Sequence, residues 1–233
     1  MSSLNYDNIL HAKILRDLGD ICLDQGATSR AEAIFQNALK LSEAANDALG
    51  QGNCYSKLGG IYMKLKRLQE AGAAYSKALE FHKGLDDNVG QGSDYRGLGD
   101  IQLQLQRFND AEGLYQKALE FDKAANSMRG QAKDYKALGN TYLKTDVLEE
   151  AEAFFDNALG LYKAINSSSG QGNILYDLAK IYLQRSQLKD ARTAIERALD
   201  MHKQAHDKAG EKQDQRLLNQ ILSRDGVVIP DEE

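Results

Sequence analysis

Residues 50–65, GQGNCYSKLGGIYMKL, return at 90–105 as GQGSDYRGLGDIQLQL, at 130–145 as GQAKDYKALGNTYLKT and at 170–185 as GQGNILYDLAKIYLQR. The leading glycine keeps a fixed 40-residue interval through Gly50, Gly90, Gly130, Gly170 and Gly210, so no loop has been inserted or lost. Self-similarity at a constant period of this size marks a stacked-repeat architecture. One such unit cannot bury enough apolar surface to fold alone, whereas stacked units share a continuous core. The register predicts an N-terminal extension over 1–9 and five units at 10–49, 50–89, 90–129, 130–169 and 170–209. A capping helix over 210–224 and a disordered acidic tail over 225–233 follow.

Working outward, the third unit shows how each repeat folds. Tyr95, Leu98, Ile101 and Leu105 recur at three- and four-residue steps, and Ala111, Leu114, Tyr115, Ala118 and Leu119 do the same after them. Both patterns are amphipathic helices. Between them Gln106-Arg107-Phe108-Asn109 reads as a polar turn with one buried anchor, matched by Leu68, Leu148 and Leu188 in other units. Short connections make the two helices antiparallel, so each unit is a helical hairpin.

The joins are also legible. Asp47, Asp87, Ser127, Ser168 and Asp207 precede the repeating glycine by two or three residues and read as N-caps. The glycine then lies within the first helical turn, where it costs up to about 1 kcal/mol in propensity. Close approach of the preceding repeat's second helix is the expected compensation; the alternative is that the glycine belongs to the connecting turn and relaxes the bend. The same holds for Gly19, Gly59, Gly99 and Gly139, with Ala179 in the fifth unit, facing alanines at 31, 71, 111, 151 and 191 and at 38, 78, 118, 158 and 198.

Composition narrows the class. A single proline, Pro230, and 42% hydrophobic residues suit a nearly all-helical chain. A net charge of −5 argues against a general nucleic-acid binder. No stretch approaches the length of a membrane span, and MSSLNYDNILHAKIL lacks the layout of a secretory signal. A cytoplasmic setting is the expectation. Cys22 and Cys54 read as buried thiols, and no Cys/His spacing suggests a metal. His202 and His206 lie four residues apart, but without a third ligand they read as exposed helix residues. Asn166-Ser167-Ser168, although a glycosylation sequon, reads as an inter-repeat turn. No nucleophile motif, phosphate loop or catalytic dyad is evident, so neither an enzyme nor a bound cofactor is expected.

The series Tyr95, Leu98-Gly99, Ala111, Tyr115, Ala118, and again Tyr135, Leu138-Gly139, Tyr142, Ala151, Phe155, Ala158, closely resembles the tetratricopeptide repeat. The second unit repeats it as Tyr55, Leu58-Gly59, Tyr62, Ala71, Tyr75, Ala78, while Leu15 and Leu175 fill the aromatic slot in the first and fifth. The resemblance implies an all-α, right-handed superhelical solenoid. Two departures stand out. The usual family repeat is shorter by six residues, and Lys83, Lys123, Lys163 and Lys203 stand where it often carries proline. Long repeats with an aspartate-then-glycine junction are similar to those of Pins/LGN-type adaptors and of the peptide-sensing Rap-type regulators. No sequence diagnostic of either subgroup is present.

The resemblance also implies a concave groove lined by the first helix of every hairpin. Its positions are Lys13, Arg16, Asp20 and Asp24 in the first unit and Asn53, Ser56, Lys57, Gly60 and Lys64 in the second. Ser93, Arg96, Asp100 and Gln104 follow in the third, Lys133, Lys136, Asn140 and Lys144 in the fourth, and Asn173, Tyr176, Asp177, Lys180 and Gln184 in the fifth. These residues vary on a constant scaffold, and the fourth unit's set holds three lysines and no acid. The expected partner is therefore a protein or peptide, in one version an acidic segment, held without nucleic acid or membrane. The family's carboxylate clamp is not expected, because Asp177 and Asp20 stand where asparagine is required. Leu217, Leu218, Ile221 and Leu222 give the capping helix its apolar stripe, with Lys212, Gln213, Arg216 and Gln220 opposite. The expected function is a protein-interaction scaffold or adaptor. The alternatives are a ligand-responsive sensor or assembly chaperone using the same groove, or a non-catalytic subunit of an enzyme complex.

Overall fold

The computed structural model describes residues 3–225, and the tail expected beyond Asp225 lies outside them. Among these residues the chain is eleven α-helices with no strand. They are α1 (Ser3–Asp24), α2 (Thr28–Ala44), α3 (Ala48–Lys64), α4 (Leu68–Gly84), α5 (Asn88–Gln104) and α6 (Phe108–Ala124), then α7 (Met128–Lys144), α8 (Leu148–Ala164), α9 (Ser168–Gln184), α10 (Leu188–Gln204) and α11 (Lys208–Arg224). Residues 3–9 are continuous with α1.

From α2 onward each helix has 17 residues and each turn three, so the 40-residue period divides into two equal halves. The turns share one geometry. Asn46, Lys66, Asp86, Gln106, Asn126, Asp146, Asn166, Ser186 and His206 take left-handed φ values of 51–62°, and Gly26 takes 73°. The next amide then reaches back five residues, as from Asp47 to the Ser42 carbonyl at 2.8 Å and from Gln187 to Tyr182 at 2.8 Å. This is the Schellman closure of a helix C-terminus. Asn and Asp, which tolerate the left-handed region best among residues with a Cβ, fill five of these positions.

The helix starts after the inter-repeat turns are capped by side chains. Asp47, Asp87, Ser167 and Asp207 accept hydrogen bonds from the amides of Gly50, Gly90, Gly170 and Gly210 at 2.9–3.3 Å. In the fifth unit the cap is Ser167, not Ser168, which is the first residue of α9. Ser167 alone keeps the 40-residue register with the aspartates. Helices that open within a hairpin have no side-chain cap; Arg67, Arg107 and Val147 stand there.

The helices form two compact units, one ending at Ser127 and the other beginning at Met128. In the first, α1–α2, α3–α4 and α5–α6 pack as hairpins, with α2 on α3 and α4 on α5. In the second, α7–α8 and α9–α10 are hairpins and α11 closes onto α10. The alanines at 31, 71, 111, 151 and 191, and their partners at 38, 78, 118, 158 and 198, are wholly buried. Opposite them, a Cβ on Gly99 would stand 2.6 Å from the Tyr115 ring, and one on Gly139 would stand 2.8 Å from Phe155. The fifth hairpin has Ala179 against Ile195, both buried. Without a ring in the slot, a methyl group fits.

Gly90, Gly170 and Gly210 meet the preceding even helix, as the close-approach reading expects, whereas Gly50 meets its cap Asp47 and Arg16 of α1. A Cβ at Gly90 would be 2.5 Å from His82, and one at Gly210 would be 2.6 Å from His202. Each imidazole also fills the space beside a glycine on its own hairpin partner, Gly52 or Gly172. His82 and His202 are 1% and 2% exposed, so the surface reading of His202 is corrected. Their Nδ1 atoms lie 2.6 Å from carboxylate oxygens of Asp94 and Asp214, which are wholly buried. His206 is not on α10 at all but in the exposed turn after it. Both cysteines are buried and unpaired, in agreement with their sequence reading.

Candidate functional site

The odd-numbered helices present one face that the even helices do not cover, and the groove columns fall on it. In the first unit that face is largely tied up within the protein. Arg16 of α1 points its guanidinium at the end of α2 and the start of α3, 3.8 Å from Asp47 and 3.5 Å from the Ser42 hydroxyl. Arg96, its counterpart on α5, reaches Asp122 at 3.1 Å. Lys57 pairs with Asp20 across α3 and α1 at 2.6 Å, with both side chains nearly half exposed. The Ser56 hydroxyl donates to Asp94. Asp100 accepts from the Tyr115 hydroxyl at 2.7 Å; burial pushes its carboxyl up, against the pull of Tyr115 and Arg96. Lys13 and Lys64 remain exposed and Asn53 half-buried. These residues make a mixed surface in which most charges answer one another.

The second unit differs. On α7, Lys133 and Lys144 are exposed and Lys136 and Asn140 half-buried. On α9, Asn173 is exposed and Tyr176 and Lys180 half-buried, with the Lys180 ammonium 5.6 Å from the Tyr176 ring centroid. Gln184 donates to Asp146 at 2.5 Å. Arg216 and Gln220 occupy the corresponding positions of α11 and are exposed. Asp177, the one acid in these columns, is 8% exposed and sits 3.9 Å from Lys136 and 3.5 Å from Lys180. Burial raises its pKa, and the two lysines oppose that shift. The open face of this unit therefore offers amines, amides and an aromatic ring, with its only carboxylate withdrawn among cations.

Neither set encloses a cavity. A cleft of about 540 Å³ lies elsewhere on the second unit, lined by Glu152 and Asp156 of α8, Tyr182 of α9, and Asp190 and Arg197 of α10. A cleft of about 270 Å³ repeats it 120 residues earlier, between Leu39 and Lys77 over Tyr62. Recurrence in register marks it as a by-product of hairpin stacking. Among the described residues no cluster of three or more His, Cys, Asp or Glu side chains could hold a metal, and no helix is long and apolar enough to cross a membrane.

Sequence reasoning missed the buried polar pairs, and with them the internal employment of Arg16 and Arg96. The signal was available: His82 and His202 share one column of the repeat, and Asp94 and Asp214 share another twelve residues on.

The hairpins, their Leu-Gly contacts and the repeat register define a helical-repeat protein. The chain belongs to the tetratricopeptide repeat family, whose sequence profile matches residues 51–124 and 131–204. No curated protein matches it. Among solved structures it is similar to a Rap protein complexed with competence and sporulation factor, at 15% identity and a TM-score of 0.82, covering 92% of this chain and 63% of that one. It is similar to aspartyl phosphate phosphatase F from Bacillus subtilis, at 17% identity and 0.81, covering 95% and 58%. BtubC (BKLC) from P. vanneervenii follows at 18% and 0.67, covering 89% and 94%. The chain thus spans about three fifths of the first two proteins and nearly all of the third. At such identities the likeness is one of fold.

Proposed function

We propose that this protein is a non-catalytic interaction scaffold that holds a peptide or helix of a partner protein against the open face of its odd helices, in a cytoplasmic setting. The observation that carries the reading is electrostatic. In a chain of net charge −5, the open face of α7 and α9 carries Lys133, Lys136, Lys144 and Lys180, and Lys136 and Lys180 flank the buried Asp177. Exposed ammonium and amide donors on rigid helices suit an extended segment bearing carboxylates, through charge-assisted hydrogen bonds. Asn140, Asn173 and Tyr176 add donors and a stacking surface, and within the first unit Lys13, Asn53 and Lys64 offer donors on α1 and α3.

The test is affinity capture from the native cell beside a Lys133/Lys136/Lys144→Glu variant. The reading requires that the wild type retain a partner that the variant loses; recovery of the same partners by both rejects it.

A second reading is a ligand-responsive sensor. It draws on the likeness to the Rap protein complexed with competence and sporulation factor and to the Rap conjugation gene regulator of plasmid pLS20 complexed with the Phr* peptide, the latter at a TM-score of 0.79. A sensor compacts on binding, visible as a smaller radius of gyration in small-angle scattering, where a scaffold keeps its dimensions.

A further inference from the structure

The helix α1 carries an apolar stripe that no described element covers. Tyr6, Leu10, Ile14, Leu18 and Ile21 are 65%, 45%, 54%, 39% and 51% exposed. This is not the solvent side of a repeat. The residues at the positions of Leu10, Ile14 and Ile21 are Gly50, Cys54 and Ile61 in α3, Gly90, Asp94 and Ile101 in α5, and Gly210, Asp214 and Ile221 in α11, and all of them are buried. There an antiparallel even helix lies over them: α2 on α3, α4 on α5, α10 on α11. The stripe of α1 is therefore a helix-docking face left open. The last described helix, α11, is built differently. On α11 the positions that bind the second helix of a hairpin hold Gln215 and Asn219, joined at 3.0 Å, in place of an aromatic and a glycine. A polar closure of that kind does not supply the apolar cover that α1 lacks, which disfavours head-to-tail stacking.

We propose that the occupant is α1 of a second copy, packed antiparallel about a twofold axis through Ile14. The stripe is close to palindromic: Leu10 and Leu18 stand four residues on either side of Ile14, and Tyr6 and Ile21 eight and seven. The axis sets Ile14 on its own mate and Leu10 against Leu18 of the second copy, while Ile21 falls opposite the exposed Asp7 with Tyr6 one residue further along. Such isologous contacts need a self-complementary surface, and the charges supply one. Lys13 and Asp17, both exposed, share one edge of the stripe. A twofold axis joins like edges of antiparallel helices, so Lys13 of each copy lies within about 3 Å along the axis of Asp17 of the other, at 1.5 Å per residue. Asp17 is kept about 9 Å along the axis from its own mate by the same rise.

Sedimentation velocity across about 1–100 µM decides the matter, with a species of twice the 25.8 kDa chain mass expected at the upper end. Ile14→Asp installs at an exposed site the residue that α5 and α11 carry in that column, and it should weaken the dimer at least about 30-fold because it acts twice. Lys13→Glu should weaken it and Lys13→Glu/Asp17→Lys restore it. Under mild oxidation Ile14→Cys should cross-link to itself, and Leu10→Cys should not. A wild type that stays monomeric at 100 µM overturns the proposal, as does an Ile14→Asp protein that remains dimeric. A dimer that Ile14→Asp dissolves but Ile14→Cys does not cross-link overturns the twofold register.

Discussion

The imidazole Nδ1 of His202 lies 2.6 Å from the Asp214 carboxylate, with neither side chain reaching solvent, and His82 and Asp94 repeat the arrangement 120 residues earlier. Each pair ties the last turn of an even helix to the next odd helix. Two junctions lack both members, Ser42 accompanying Cys54 and Tyr162 accompanying Ile174, while a third sets a buried Asp122 in the histidine column and a buried Asp134 in the aspartate column. Removing one partner strands the other in the interior, a loss of about 3–5 kcal/mol. His202→Ala should destabilise the second unit by that amount. The double substitution His202→Tyr/Asp214→Ile, which copies the 162/174 pair, should recover most of it in urea unfolding.

The first pair also predicts a titration. Burial disfavours a charged His82, but the hydrogen bond and charge of Asp94, with Asp87 3.9 Å from Nε2, outweigh it and hold the pKa above its ordinary value. Burial raises Asp94 as well, against the pull of His82 and Ser56. Both directions mean that the folded state takes up protons more readily than the unfolded chain. The stabilisation from His82 is complete below about pH 6.5 and is lost as pH rises through the folded value. NMR titration should find His82 above 6.5. In an Asp94→Asn variant burial acts without its main opponent, so the value should fall below 6.5.

Packing within the hairpins gives a third prediction. Gly139 faces the Phe155 ring at a distance that leaves no room for a methyl group, whereas the fifth hairpin pairs Ala179 with Ile195. Gly139→Ala should cost about 1–3 kcal/mol through overpacking, partly offset by better helix propensity. Adding Phe155→Ile should return part of the loss. Additive effects in a double-mutant cycle would show that the two positions do not share one slot.

What the sequence made legible follows from what repeats. Positions such as Leu98, Gly99 and Ala111 answer to backbone geometry common to every unit, so their text recurs and the hairpin could be read from it. The three-residue turns were read less fully, because the left-handed residue alternates among Asn, Asp, Lys, Gln, Ser and His and only its Asx members hint at the conformation. Buried pairs were missed for the opposite reason. His82 and Asp94 lie on different hairpins, and a charged residue alone in an odd-helix pattern looks like solvent surface. Arg16 and Arg96 were assigned to the groove by register, but register fixes where a Cα sits and not where a long side chain finds its partner.

Cys54 offers a chemical probe of the first unit. Burial pushes its thiol up to about 11, against the lowering influence of nearby Arg16. At pH 8 only about one molecule in a thousand is then thiolate, the form that reacts. Alkylation by iodoacetamide at pH 8 should be slow in the native protein and should accelerate with urea along the unfolding curve. Rapid native labelling at Cys54 would contradict the packing of α3 on α2.

The last prediction concerns Asp177. Its carboxyl draws Lys136 and Lys180 inward on the open face of the second unit, and burial holds its pKa above the ordinary carboxylate value despite them. A raised carboxyl pKa weakens the fold as pH climbs through it, so Asp177→Asn should not lower the melting temperature at pH 7. The same change releases two ammonium groups toward solvent while keeping the side-chain shape. An acidic peptide should bind the variant about three- to tenfold more tightly at low ionic strength, and the advantage should fade toward 0.5 M salt as screening shortens the reach of the lysines. Fluorescence anisotropy with a labelled Glu-rich peptide measures both. Equal affinity for wild type and variant at low salt would mean that the peptide does not contact the Lys136–Lys180 surface.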